Sequence, residues 1–190
     1  EDIITSICNK KDTLGLMPTG GGKSITFQVP ALLMEGTCIV ITPLIALMKD
    51  QVQNLRKKSI TAVAIHSGMS RQEVISTLDN CILGDIKLLY VSPERLSSDF
   101  FKKKLRHIKV SFITVDEAHC ISQWGYDFRP SYLNIAEIRQ LIPNTPILAL
   151  TATAPPLVIK DIQQQLHFKE ALRISCFMVR ICLPPKLSYL

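Results

Sequence analysis

The chain has 190 residues, 47% of them hydrophobic and 20% charged, with a formal net charge of +6 and a pI near 9.1. One domain's length with that apolar share supports a real core, which excludes a disordered chain. The positive balance mildly favours an anionic partner, and no apolar run is long enough to span a membrane.

In chain order, the opening residues read as a helix ending near Asn9, followed by a buried strand over Thr13–Met17. Thr19-Gly20-Gly21-Gly22-Lys23-Ser24 comes next, leading into a helix over Lys23–Leu33. Consecutive glycines let a backbone bend tightly and aim N–H groups inward, as a phosphate cradle requires. A helix N-terminus facing the same point adds to that. Lys23 can then reach β- and γ-phosphates, and the Ser24 hydroxyl can ligate Mg²⁺. The strict G-x-x-x-x-G-K-S/T pattern is not met, because Met17 stands where its first glycine belongs. The bland alternative is a Gly-rich turn followed by a chance Lys-Ser.

Strands are expected at Cys38–Thr42, Ala62–His66, Leu88–Val91, Phe112–Asp116 and Ile147–Leu150, with a weaker one at Leu172–Ser175. Helices are expected at Ile45–Lys57, Arg71–Leu83, Phe100–Arg106, Tyr132–Leu141 and Pro156–Gln165. Such alternation predicts an α/β fold, a parallel sheet of about six to seven strands with helices on both faces. Sheets of this kind bind ligands beyond the carboxyl ends of their strands. There the glycine loop falls, and so does the acidic pair Asp116-Glu117. In a phosphoanhydride-cleaving site the first acid would hold Mg²⁺ and the second would orient and deprotonate water. An acidic pair alone fits a solvated strand end equally well. Joined to the glycine loop, the catalytic reading prevails.

Met17-Pro18-Thr19-Gly20-Gly21-Gly22-Lys23-Ser24, Asp116-Glu117-Ala118-His119 and Ala149-Leu150-Thr151-Ala152-Thr153-Ala154 resemble motifs I, II and III of the superfamily-two helicases. Cys120-Ile121-Ser122-Gln123-Trp124-Gly125-Tyr126-Asp127-Phe128-Arg129-Pro130 narrows the resemblance to the RecQ family of DNA helicases, whose aromatic-rich loop follows the DEAH box. Thr42 to Val52 is similar to motif Ia, and Tyr90 to Leu96 to the next DNA-side motif. The likeness runs from the first residues to about Ser175 with the motifs in family order.

The resemblance implies a RecA-like P-loop NTPase domain with ATP and Mg²⁺ as cofactors. It implies DNA, single-stranded or at duplex junctions, as partner, together with a second RecA-like domain. Lys23, Asp116 and Glu117 would be catalytic, and Met17 to Ser24 would bind nucleotide. Ser24 and Asp116 would be the Mg²⁺ ligands. His119, Thr151 and Thr153 would couple the ATP site to DNA. Gln123, Trp124, Phe128, Arg129, Thr42 and Ser92 would contact DNA, with Trp124 and Phe128 stacking on unpaired bases. Tyr126 stands where many members have His. On spacing alone Thr151 and Thr153 are β-formers at a sheet end, and Thr42 and Ser92 turn formers before prolines.

Six cysteines (Cys8, Cys38, Cys81, Cys120, Cys176, Cys182) show no C-x-x-C spacing, so no zinc site is indicated, and a reducing cytoplasm suits them. Residues 1–175 are expected to form the domain, truncated before the family's adenine-reading segment, and 176–190 a divergent tail. A bacterial cytosol or nucleoid, or a nucleus, is the expected compartment. The competing readings are a DNA-binding or interaction module that has lost its motor, and a P-loop ATPase acting on something other than DNA. Lys23, Asp116 and Glu117 weigh against the former and the aromatic loop against the latter.

Overall fold

Seven runs of aliphatic and β-branched residues pair into one sheet in the computed structural model, which describes residues 1–18 and 20–169 and, for its backbone alone, 172–175. Thr19 and the expected tail over 176–190, with Cys176 and Cys182, lie outside the described residues. The strands are β1 (Thr13–Leu16), β2 (Thr37–Ile41), β3 (Ala62–Ile65), β4 (Leu88–Val91), β5 (Val110–Val115), β6 (Ile147–Thr151) and β7 (Leu172–Ser175). The helices are α1 (Asp2–Cys8), α2 (Lys23–Leu33), α3 (Ile45–Lys57), α4 (Arg71–Leu83), α5 (Asp99–Leu105), α6 (Asn134–Leu141) and α7 (Pro156–Gln165). All pairings are parallel, in the order β3-β4-β2-β5-β6-β1-β7. β6 therefore lies between β5 and β1, which brings the ends of all three together.

Alternation along the strands sorts the core into two layers. Ile39, Ile41, Ile113 and Val115 face α4, α5, α6 and α7, whereas Cys38, Val40, Phe112 and Leu150 face α1, α2 and α3. Four helices keep the bounds expected from periodicity (α2, α3, α4, α7), as do β4 and β7, and the other five strands differ by one or two residues at one or both ends. A two-residue difference with a clear cause lies before α6, expected from Tyr132. Pro130 opens a separate 3₁₀ turn over Pro130–Leu133, and the helix begins only at Asn134. Short 3₁₀ turns at Pro93–Ser97 and Ala118–Ile121 also follow β4 and β5, too brief to leave a periodic signal.

The amino ends of the strands are tied by Asp12, a residue that sequence reading left unassigned. Its carboxylate accepts hydrogen bonds from Arg139 Nη2 at 2.8 Å, the Ile147 amide at 2.9 Å and the Lys169 amide at 2.9 Å. Asp12 and Arg139 are buried together, and Arg139 Nη1 also donates to the Thr145 carbonyl. Asp12→Ala leaves the guanidinium buried without its charge partner, so a loss of about 3–5 kcal/mol of stability is expected. A urea midpoint shifted by far less would mean that the pair is dispensable.

Candidate functional site

Beyond the carboxyl end of β1 the chain turns through Pro18 to Gly22 into α2. Gly20 and Gly22 have φ of +78° and +80°, and no atom lies within 4 Å of where a Cβ would stand on either. A side chain there would be strained by the backbone and would occupy the open face over the loop. Gly21 is excluded from other identities differently, since its Cβ would meet the Pro18 carbonyl oxygen at 2.9 Å. The Gly21 amide donates to that same oxygen at 3.0 Å, which sets the turn. Met17 is buried and donates its amide to the Thr151 carbonyl at 2.9 Å, so it closes the base of the loop against β6. Its thioether contributes packing where the strict motif has a glycine.

Asp116 and Glu117 follow β5. The Asp116 amide donates to Ile41 at 2.9 Å, and Tyr132 donates its hydroxyl to the Asp116 carbonyl at 2.9 Å. Glu117 adopts the left-handed region, with φ 48° and ψ 46°. A glutamate there costs on the order of 1–3 kcal/mol, and such strain is retained where side-chain aim matters. The turn is held by the Glu117 amide, which donates to Asp116 Oδ1 at 3.0 Å. Burial, and then the neighbouring Glu117 charge, push the Asp116 carboxyl above its ordinary value, while Lys23 pulls it down.

The two halves meet. Lys23 Nζ donates to Glu117 Oε1 at 2.9 Å across 94 residues of sequence. Beside them, Ser24, Thr42, Gln51, Tyr90 and Asp116 line a small cavity of about 30 Å³. That is enough for a water or a small cation. The buried Tyr90 hydroxyl has no hydrogen-bond partner there. Gln51, which sequence reading passed over, donates to Ser24 Oγ at 3.2 Å and accepts from Gln28 at 3.1 Å, tying α3 to the start of α2.

From Glu117 a polar chain leads away from this pocket. His119 Nδ1 lies 3.4 Å from Glu117 Oε2 and 2.9 Å from Thr151 Oγ1 at the end of β6. Thr151 donates onward to the Thr153 carbonyl at 3.4 Å. With its proton committed there, the Thr151 oxygen accepts from Nδ1–H, which fixes the imidazole tautomer. The exposed Tyr126 ring stacks on His119 at 4.8 Å between centroids and covers one face of the imidazole.

The loop after the DEAH residues is held at its base while its tip is open. Arg129 donates its amide to Cys120 at 2.9 Å and its guanidinium to Asp127 at 3.0 Å. Ser122 donates to Asp161 of α7 at 2.6 Å and accepts from the Trp124 amide. Trp124 is 69% exposed and Gln123 is exposed beside it, whereas Phe128 is half-buried. Thr42 and Ser92 are the correction. Both are buried: the Thr42 hydroxyl points to Asp116 at 3.4 Å, and Ser92 is fully enclosed with its hydroxyl unpartnered. A hydroxyl at a strand end before proline reads as solvent-facing, but these strands are central and their ends are roofed, so neither offers an external phosphate a contact.

The sequence profile of the DEAD/DEAH box helicases matches residues 1–162. The chain is 52% identical over 162 residues to the ATP-dependent DNA helicase RecQ of Bacillus subtilis, covering 85% of this chain and 27% of that protein. It is 42% identical over 188 residues to ATP-dependent DNA helicase Q-like 4B of Arabidopsis thaliana, covering 94% and 16% respectively. The chain thus spans only about a quarter of the bacterial relative's length. Among solved structures, Mycobacterium smegmatis helicase Lhr bound to single-stranded DNA and AMP-PNP superposes with a TM-score of 0.71 at 21% identity, covering 92% of this chain and 25% of that one. The Pyrococcus furiosus Hef helicase domain gives 0.69 at 20% identity, covering 92% and 37%. At those identities the likeness concerns the fold. Among the described residues no helix is long and apolar enough to cross a membrane.

Proposed function

This chain belongs to the DEAD/DEAH box helicase family and carries its RecA-like fold, and we propose that it is the ATP-binding half of a RecQ-type DNA helicase that unwinds with 3′-to-5′ polarity. One observation carries the reading: Lys23 of the glycine loop reaches Glu117, and His119, 3.4 Å from Glu117, bonds Thr151 at the end of β6 and is stacked on by Tyr126 of the aromatic loop. A site that only bound nucleotide would have no need of that connection.

The residues fit ATP and Mg²⁺. Open backbone over Gly20 and Gly22 leaves phosphates an approach, and the Ser24–Asp116 cavity supplies hydroxyl and carboxylate oxygens, the hard donors that Mg²⁺ takes. Ser24 and Asp116 would hold Mg²⁺ there, and the ion would offset charge on the phosphate oxygens. Lys23 places its ammonium on the β- and γ-phosphates. A lysine that moves to phosphate leaves Glu117 free to accept a proton from the attacking water. His119 packs beside that carboxylate, Nδ1 lying 3.4 Å from Oε2, and its Nδ1–H bond to Thr151 leads on to Thr153. Trp124, with Gln123, Phe128 and Arg129 around it, offers the surface on which an unpaired base stacks. Opening and closing against a second RecA-like domain would turn hydrolysis into movement along a strand. Such a protein works where the DNA is, in a bacterial cytosol or a nucleus.

Trp124→Ala in the intact protein should leave basal hydrolysis in place and raise the single-stranded DNA concentration needed for stimulation. Loss of one stacked base, about 1–3 kcal/mol, corresponds to roughly 5- to 150-fold. An equal fall in basal and stimulated rates would make the loop a fold support. The 190-residue chain alone should separate no fluorescent duplex above a Lys23→Ala control, because one lobe has nothing to move against. Strand separation by it would overturn the two-domain reading.

A further inference from the structure

His119 of the polar chain also belongs to a second cluster, with Cys120 and Asp127, that neither nucleotide binding nor base stacking uses. Cys120 Sγ is 3.7 Å from His119 Nε2 and 3.6 Å from Asp127 Oδ2, and the three ligand atoms lie within 4.8 Å of one another. Around a tetrahedral Zn²⁺, with bonds of about 2.0–2.3 Å to nitrogen, oxygen and sulfur, neighbouring ligand atoms stand about 3.3–3.6 Å apart. The two sulfur distances, 3.6 and 3.7 Å, stand at or just beyond the upper end of that range.

The outer contacts are also those of a metal-binding histidine. His119 Nδ1–H is committed to Thr151, so the lone pair on Nε2 faces the sulfur. Ligating imidazoles characteristically have their other nitrogen anchored in this way. His119 and Cys120 are buried, and Tyr126 covers the imidazole face. Asp127, its carboxylate 43% exposed, provides the way in from solvent. One sulfur, one imidazole and one carboxylate select a borderline-soft ion over Mg²⁺ or Ca²⁺.

We propose that His119, Cys120 and Asp127 form a binding site for Zn²⁺, with solvent at the fourth position. As the zinc–sulfur bond forms, the Cys120 thiol proton leaves to solvent. Asp127 Oδ2 is also the acceptor of both Arg129 contacts, at 3.0 and 3.3 Å. Zinc on that oxygen displaces the guanidinium and pins the loop to His119. Occupancy would thus report on, and interfere with, the connection between Glu117 and the aromatic loop. Cysteine spacing gave no hint of the site, because His119 and Cys120 are adjacent and the third ligand arrives only when the loop folds back.

Co²⁺ is the probe, because its thiolate complexes absorb by sulfur-to-metal charge transfer. The titration uses the 190-residue chain with Cys8, Cys176 and Cys182 replaced by serine, folding being checked by circular dichroism. One equivalent of Co²⁺ should produce the band and Zn²⁺ should bleach it. Cys120→Ser, which keeps the size of the side chain, should abolish the band, and Asp127→Asn should weaken binding by about tenfold or more. No band in the parent chain, or an undiminished band in Cys120→Ser, overturns the site. Neither result depends on nucleotide or DNA, so the motor reading stands or falls separately.

Discussion

Lys23→Ala is expected to remove productive nucleotide binding while leaving the fold intact. In the structure its ammonium is the cation paired with Glu117, and it lowers the Asp116 carboxyl against burial and the Glu117 charge. Removing it has two consequences. The triphosphate loses a charge-assisted contact, and two carboxylates are left facing an anionic ligand with less to offset them. Truncating one member of such a charge pair costs about 2–5 kcal/mol, or roughly 30- to 4,000-fold in affinity. Calorimetry with Mg²⁺ and a non-hydrolysable ATP analogue measures this directly. Unchanged affinity would mean that the glycine loop is not a phosphate cradle.

Glu117→Gln should do the reverse, keeping nucleotide and losing turnover. Glutamine matches the size of the side chain, and its carbonyl oxygen can still accept from Lys23 Nζ, so the ground-state contact at 2.9 Å has a substitute. A carboxamide cannot take the proton from water. Loss of a positioned general base lowers the rate by about 10²–10⁴-fold. The left-handed backbone at this position aims the side chain, and glutamine tolerates that conformation no better or worse than glutamate. Wild-type turnover in this variant would place the base elsewhere.

Much of this was legible from spacing. The glycine run, the acidic pair and strand–helix alternation carry the site because each is a local pattern, and parallel topology puts strand ends together whatever the connecting residues. The His119–Thr151 contact was expected from resemblance, and it follows from β6 standing between β1 and β5. Where reading failed, the cause was tertiary. Thr42 and Ser92 carry the local signature of accessible hydroxyls, yet burial depends on what roofs the strand ends. Asp12 carries no local signal of its role because its partners are 127 to 157 residues away. Gln51 is one of several polar residues on an amphipathic helix, and only the placement of α3 against α2 sets it on Ser24.

Phosphate release by the intact protein with Mg–ATP, with and without single-stranded DNA, is the most direct measurement. Hydrolysis should rise when DNA is added, and Glu117→Gln should abolish both the basal and the stimulated rate. The same turnover with and without DNA in the wild-type protein would contradict a DNA motor, and retained turnover in Glu117→Gln would contradict the site.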